Sequence, residues 1–123
     1  MSGAIEICNA GHPPPLVLRA GGEVERVDAT GLPIGMFCSE HFSSRTVQLA
    51  PGETVLFYTD GLVEAQDVSG AEYGIERLCT LAASAGALAS TSLVERCARD
   101  LAAFAGTPAW ADDVTIMAVR RSS

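Results

Sequence analysis

The chain has 123 residues, 48% of them apolar, which suits one domain with a buried core and not a disordered segment. Its 8 basic residues stand against 15 acidic ones, a net charge of −7, so it lacks the positive field that a nucleic-acid backbone requires. Every basic residue is Arg, and the absence of Lys excludes a Walker phosphate loop, a Schiff-base lysine and any other catalytic lysine.

Ala4 to Cys8 alternates and predicts a short strand. Asn9-Ala10-Gly11-His12-Pro13-Pro14-Pro15 breaks regular structure, because three prolines remove three backbone donors. Leu16–Arg19 and Val24–Val27 are β-type runs around Gly21-Gly22, a hairpin signal. Gly31-Leu32-Pro33-Ile34-Gly35 reads as an apolar loop. Arg45–Leu49 and Thr54–Tyr58 predict a second hairpin, with Ala50-Pro51-Gly52-Glu53 as a type II turn. The run Val55-Leu56-Phe57-Tyr58 suits a strand buried on both faces, so helices alone cannot cover it and a second sheet is expected.

The second half is helical. Ile75, Leu78, Cys79 and Ala82 share one face, as do Val94, Cys97, Leu101 and Phe104. Ser92 and Glu95 suggest a capping box for the second helix, and Gly106 its stop. Val114 to Val119 is a closing strand. The fold class is α+β: antiparallel strands, two helices, then one strand. No apolar run reaches the ~18–20 residues of a membrane span, and Met1–Glu6 has no secretory leader pattern. The expected setting is the reducing cytoplasm.

None of the four cysteines forms a CxxC pair, so a zinc ribbon and a thioredoxin motif are absent. Cys8, His12, Cys38 and His41 match a zinc site only loosely, and ordinary strand and loop composition explains them better. Cys79 and Cys97 fall on apolar helical faces, where a thiol packs as a small hydrophobe.

Asp60 follows the buried strand directly, and Asp112 and Asp113 precede the last strand. If those strands are antiparallel neighbours, Asp60 and Asp112 meet at one sheet edge. Carboxylates gathered there repel unless a cation is present, and hard oxygen donors suit Mg²⁺ or Mn²⁺. Such an ion lowers the pKa of bound water and supplies a nucleophile. Taken singly, Asp60-Gly61 is also a hairpin-turn signal and Asp112-Asp113 a solvated loop. Leu62-Val63-Glu64-Ala65 reads as a helical turn, which argues against the hairpin. His12 is either a general acid or a residue that fills a turn. A cysteine-phosphatase loop, a GxSxG elbow and an HExxH helix are absent.

Several motifs occur in one order: Asn9-Ala10-Gly11-His12-Pro13-Pro14, Gly31-Leu32-Pro33-Ile34-Gly35, Leu49-Ala50-Pro51-Gly52-Glu53, Tyr58-Thr59-Asp60-Gly61-Leu62-Val63-Glu64-Ala65, Tyr73-Gly74 and Asp112-Asp113-Val114-Thr115. This series resembles the C-terminal half of the metal-dependent (PPM, type 2C-like) protein serine/threonine phosphatases, in the branch named for stage II sporulation protein E. The resemblance covers about Ala4 to Arg121. It implies an α/β/β/α sandwich, of which residues 1–123 would be a single partial domain.

The implied reaction is hydrolysis of phosphoserine or phosphothreonine by water held between two Mn²⁺ or Mg²⁺ ions. By family match Asp60 and Asp112 are metal ligands, Asp113 orients a ligand or a metal-bound water, and Gly61 and His12 support the site. The implied partner is a phosphorylated protein such as an anti-anti-sigma factor, in sigma-factor or stress-response signalling. The family's other ligands lie in Gly-Asp-x-x-x-Asp and Asp-Val-Ser-Gly-His type segments, which this sequence lacks. The chain alone is therefore expected to bind metal weakly and to hydrolyse phosphoesters poorly or not at all. The alternatives are a non-catalytic interaction module of the same ancestry and an unrelated acidic metal-binding domain. A partial sandwich exposes apolar surface and strand edges, which suits a homodimer or strand exchange between copies.

Overall fold

The computed structural model describes residues 3–7, 13–27, 45–106 and 114–122. The elements run β1 (Ala4–Ile7), β2 (Leu16–Leu18), β3 (Val24–Arg26), β4 (Arg45–Gln48), β5 (Thr54–Tyr58), α1 (Asp60–Val63), α2 (Ile75–Ala85), α3 (Ser90–Ala105) and β6 (Ile116–Arg120). Two antiparallel sheets form among the described residues: a β1-β4 ribbon and a four-stranded sheet ordered β3-β2-β5-β6.

The two faces of β5 explain its unbroken apolar run. Leu56 and Tyr58 face α2 and α3, packing with Leu16, Leu18, Leu78, Leu93, Cys97 and Leu101. Val55 faces the other way, with Val17, Ile7, Val47 and Leu49. The second cover expected from the sequence is thus the β1-β4 ribbon, and the layers are helices, sheet, ribbon. Leu56 and Val55 are each 0% exposed. Burial of one such side chain stabilises the fold by about 1.5–3 kcal/mol, so both faces of β5 contribute.

The expected hairpin between residues 45–49 and 54–58 does not form. The turn itself is present, with the Glu53 N–H donating to the Ala50 carbonyl at 3.0 Å and Gly52 at φ 87°. However, β4 pairs with β1, whereas β5 pairs with β2 and β6. Glu53, 8% exposed, makes the change of layer tolerable. Its carboxylate accepts the N–H groups of Ala50 at 2.8 Å and Ala20 at 3.0 Å, and Arg19 Nη1 at 3.0 Å. The Ala50 donor, which a hairpin would have paired, and the Ala20 donor of the β2-β3 turn are satisfied by one side chain, which ties that turn to the crossing.

The helices also begin differently from expectation. The Ser92–Glu95 capping box is not used: α3 starts at Ser90 after Ala89, with no side-chain cap. Leu93, 0% exposed, is its first core residue, and Val94 packs at the core's margin. The helix thus starts three residues earlier than the capping pattern implies, with Leu93 inside its first turn. Gly106 ends α3 at φ 73°, the left-handed stop its sequence position suggests. β6 starts two residues later and ends one residue later than the expected strand.

Candidate functional site

The candidate site lies where β5 ends. Tyr58 pairs with Ile116, and the antiparallel register continues one residue further through side-chain chemistry. The Thr59 N–H donates to the Thr115 carbonyl at 3.1 Å, and Thr59 Oγ1 accepts the Thr115 N–H at 3.0 Å. The start of β6 is therefore fastened beside the end of β5, the juxtaposition that the sequence argument required. In the same register Asp60 is level with Val114.

Asp60 is the first residue of α1, not part of a hairpin turn. Its carbonyl accepts the Glu64 N–H at 2.9 Å, and Leu62, 0% exposed, anchors the short helix in the core. Gly61 follows as the second helical residue and is partly exposed. The Asp60 side chain is exposed at the sheet rim. Among the described residues no group of three His, Cys, Asp or Glu is placed to hold a metal ion. Asp60 is thus an exposed carboxylate with no metal-holding cluster around it among the described residues. Asp112, Asp113 and His12 lie outside the described residues, as do Cys8, Cys38, His41 and the Gly31–Gly35 loop.

The other side of the rim is organised by Tyr58, a role the sequence reading did not assign. Its hydroxyl donates to the Pro14 carbonyl at 2.7 Å. Leu16 pairs with Leu56, so Pro14 is level with Tyr58 in the same register. Burial pushes the Tyr58 hydroxyl up to about 12. Tyr58 therefore stays neutral and holds the Pro13–Pro15 segment beside the end of β5. The signal in the sequence is the tyrosine at the last position of an otherwise aliphatic strand. Such a hydroxyl needs a partner once it is buried.

The link from α1 to α2 is equally fixed. The Tyr73 N–H donates to the Ala65 carbonyl at 2.7 Å, and the Gly74 N–H to the Val63 carbonyl at 2.9 Å. Tyr73 Oη donates to Asp100 Oδ2 at 2.5 Å, and Arg77 Nε reaches the same oxygen at 3.1 Å. Arg77 also lies over the Tyr73 and Phe104 rings, with its guanidinium carbon 5.2 and 4.8 Å from their centroids. The Arg77 guanidinium, ahead of the Tyr73 hydroxyl, holds the Asp100 carboxyl below its usual range. The Tyr73-Gly74 motif is thus a clamp between α1, α2 and α3.

A family model described as stage II sporulation protein E matches residues 1–122. The chain belongs to the stage II sporulation protein E family. It is 38% identical over 60 residues to phosphoserine phosphatase RsbP of Bacillus subtilis, covering 49% of this chain and 15% of that protein. A solved structure of RsbU and RsbW domains from Mycobacterium tuberculosis superposes with a TM-score of 0.76 at 33% identity, covering 99% of this chain and 33% of that one. The SiaA PP2C domain of Pseudomonas aeruginosa superposes with a TM-score of 0.81 at 24% identity, covering 97% and 47%. The fold of antiparallel sheets with helices is thus that of part of a PP2C phosphatase domain. The chain spans less than a fifth of the curated relatives it matches. Among the described residues no helix is long and apolar enough to cross a membrane.

Proposed function

We propose that this chain is the C-terminal part of a metal-dependent phosphoprotein phosphatase domain acting on phosphoserine or phosphothreonine. The observation that carries the reading is the register around Asp60. The segment leading into β2 is tied to Tyr58 on one side, and the segment leading into β6 is tied to Thr59 on the other. These are the segments in which His12 and the Asp112-Asp113 pair occur in the sequence.

In this reading Asp60 and Asp112 hold divalent metal, Mn²⁺ or Mg²⁺, and Asp113 orients a ligand or a bound water. Carboxylate oxygens are the donors such ions prefer, and Asp60 fits that chemistry as an exposed oxygen on a short, core-anchored helix. When bound, the metal pair lowers the pKa of water and provides the nucleophile for phosphoester hydrolysis. The task of this chain is positioning: Leu62 fixes α1, while Thr59 and Tyr58 fix the two neighbouring segments. Gly61 and His12 support the site. The substrate is a phosphorylated protein, an anti-anti-sigma factor by family analogy, and the setting is cytoplasmic sigma-factor or stress-response signalling. The similarity to RsbP, a phosphoserine phosphatase, supports the substrate class.

Metal titration and phosphoserine-peptide hydrolysis test this. The chain alone should bind Mn²⁺ weakly and turn over little, since two carboxylates are too few for two ions. Joined to the acidic segments of a related phosphatase, it should gain Mn²⁺-dependent hydrolysis. That activity should fall by more than the ~10–100-fold typical of losing a group behind the ligands when Asp60→Asn is introduced. Full activity of the Asp60→Asn form would refute the assignment. Should the joined form stay inactive, the non-catalytic interaction module becomes the better reading.

A further inference from the structure

A helix as short as α1 cannot hold itself. Helices under about 12–15 residues are marginal in water on their own, and α1 has only the four residues Asp60–Val63. Its N-cap, Thr59, contributes no side-chain cap, and Gly61 is a weak helix former. The place of Asp60 is therefore set from outside the helix. In front, Thr59 is bound to Thr115 through its N–H and its hydroxyl oxygen. Beneath, Leu62 is buried in the core. Behind, the carbonyls at a helix end have no partner within the helix, and one neighbouring segment supplies two donors. These are the Tyr73 N–H to the Ala65 carbonyl and the Gly74 N–H to the Val63 carbonyl, at 2.7 and 2.9 Å.

The Tyr73 side chain anchors that segment to the longer helices. Its hydroxyl donates to Asp100 Oδ2 on α3, and Arg77 on α2 holds both oxygens of the same carboxylate, Nε at 3.1 Å and Nη2 at 3.3 Å. Its ring meets Phe104 edge-on, with centroids 5.4 Å apart. Tyr73 is 4% exposed, and all these partners belong to this chain, so the contact needs no further part of a larger domain to complete it. Apolar packing is non-directional, whereas a hydrogen bond to a charged group is directional and about twice as strong as a neutral one. The hydroxyl therefore fixes where Tyr73 sits, and the Tyr73-Gly74 backbone fixes the rear of α1. The Glu64 N–H, bound to the Asp60 carbonyl at 2.9 Å, completes the series of contacts.

We propose that Tyr73, held by Asp100 and Arg77, is a positioning residue for Asp60, a role that rests on Asp60 being a metal ligand. It acts through α1 and touches neither metal nor substrate. A ligand must stand within about 0.5 Å of its productive place. An exposed carboxylate takes its position from the backbone beneath it, so a loosened α1 costs metal affinity before it costs the fold.

Amide hydrogen exchange of the full chain, without metal, tests the coupling. Tyr73→Phe keeps the ring and removes the hydroxyl. The Glu64 and Gly74 N–H groups should then exchange at least about tenfold faster, the factor that one lost bond to a charged group allows, while the amides of β5 keep their native rates. Asp100→Ala should reproduce this, and serves if Tyr73→Phe does not fold. Asp100→Asn, whose amide oxygen still accepts the hydroxyl, should show near-native exchange at Glu64. A merely structural role would speed β5 exchange equally; that result overturns the proposal, as does native exchange at Glu64 in both Tyr73→Phe and Asp100→Ala. Calorimetric Mn²⁺ binding to the chain joined to the acidic segments of a related phosphatase tests the consequence. Tyr73→Phe should weaken binding by about 10–100-fold, as loss of a group behind a ligand does. Unchanged binding by Tyr73→Phe, in a joined form that Asp60→Asn does weaken, overturns the positioning role alone. A joined form that binds no Mn²⁺, or binds it unchanged as Asp60→Asn, overturns the assignment of Asp60 and the positioning role with it.

Discussion

Replacing Glu53 with Ala should be the most damaging single change in the turn between β4 and β5. The carboxylate accepts two backbone N–H groups and one guanidinium N–H, all at 2.8–3.0 Å. Arg19 keeps Glu25 and the Gln48 carbonyl as partners, so its loss is partial. The Ala50 and Ala20 donors lose their acceptor; both residues are exposed, so water can replace it, and each lost bond costs about 0.5–1.5 kcal/mol. The expected total is roughly 1–3 kcal/mol, a measurable share of the ~5–15 kcal/mol of a typical domain. Urea unfolding followed by circular dichroism reads it directly, as a lower midpoint with an unchanged slope.

Glu53→Gln separates charge from shape and makes the argument pH-dependent. The backbone N–H of Ala20, then that of Ala50, and then Arg19 hold the Glu53 carboxyl below its ordinary 4.5. A depressed folded pKa means that the contribution is complete above the unfolded value and is lost as pH falls through the folded one. The stability gap between the native chain and Glu53→Gln should therefore be constant near neutrality and close progressively below about pH 4.5. A gap that widens on acidification, or an Ala variant that loses less than about 1 kcal/mol, would refute the account of the crossing.

Two further outcomes follow from local geometry. Gly70 sits at φ 88° with open space where a Cβ would stand, in a turn closed by its N–H to the Asp67 carbonyl at 3.0 Å. Gly70→Ala should cost about 1–2 kcal/mol from backbone strain alone, again by urea unfolding, and no measurable loss would contradict the turn assignment. Cys97 is 0% exposed, and burial pushes its thiol up to about 11. Its reaction with a thiol reagent at about pH 8 should wait for unfolding, with a rate that rises with urea, because the thiolate is the reactive form. Prompt labelling of Cys97 in the native protein, mapped by mass spectrometry, would place it elsewhere.

Much of the helical half was legible because its signal is periodic and local. Leu78 and Ala82 in α2, and Cys97 and Leu101 in α3, are buried where the 3.6-residue spacing places them. What misled was punctuation. Ser92 and Glu95 satisfy the capping pattern, yet the helix begins at Ser90 after Ala89 with no side-chain cap. The Pro51-Gly52 turn was identified correctly while its consequence was not. Turn chemistry fixes four residues, and partner choice is settled by which apolar faces need covering. β4 covers one face of the sheet and β5 lies within it.

The same distinction decides what could be known of the site. Asp60 was legible because an acidic residue directly after a doubly buried strand must emerge at a rim, and the apolar run itself locates the end of the strand. That β5 and β6 are neighbours was only a condition in the sequence, since no residue-level pattern specifies which strands pair across 58 residues. The structure supplies it through five paired positions, from Thr54 with Arg120 to Tyr58 with Ile116. It adds the Thr59–Thr115 and Tyr58–Pro14 bonds, which carry the register to the rim on both sides of Asp60. Hydroxyls at a strand end are common enough to look decorative in sequence. Here they do what a buried polar group must, finding partners, and in doing so they hold Pro13–Pro15 and Val114-Thr115 at the rim on either side of Asp60.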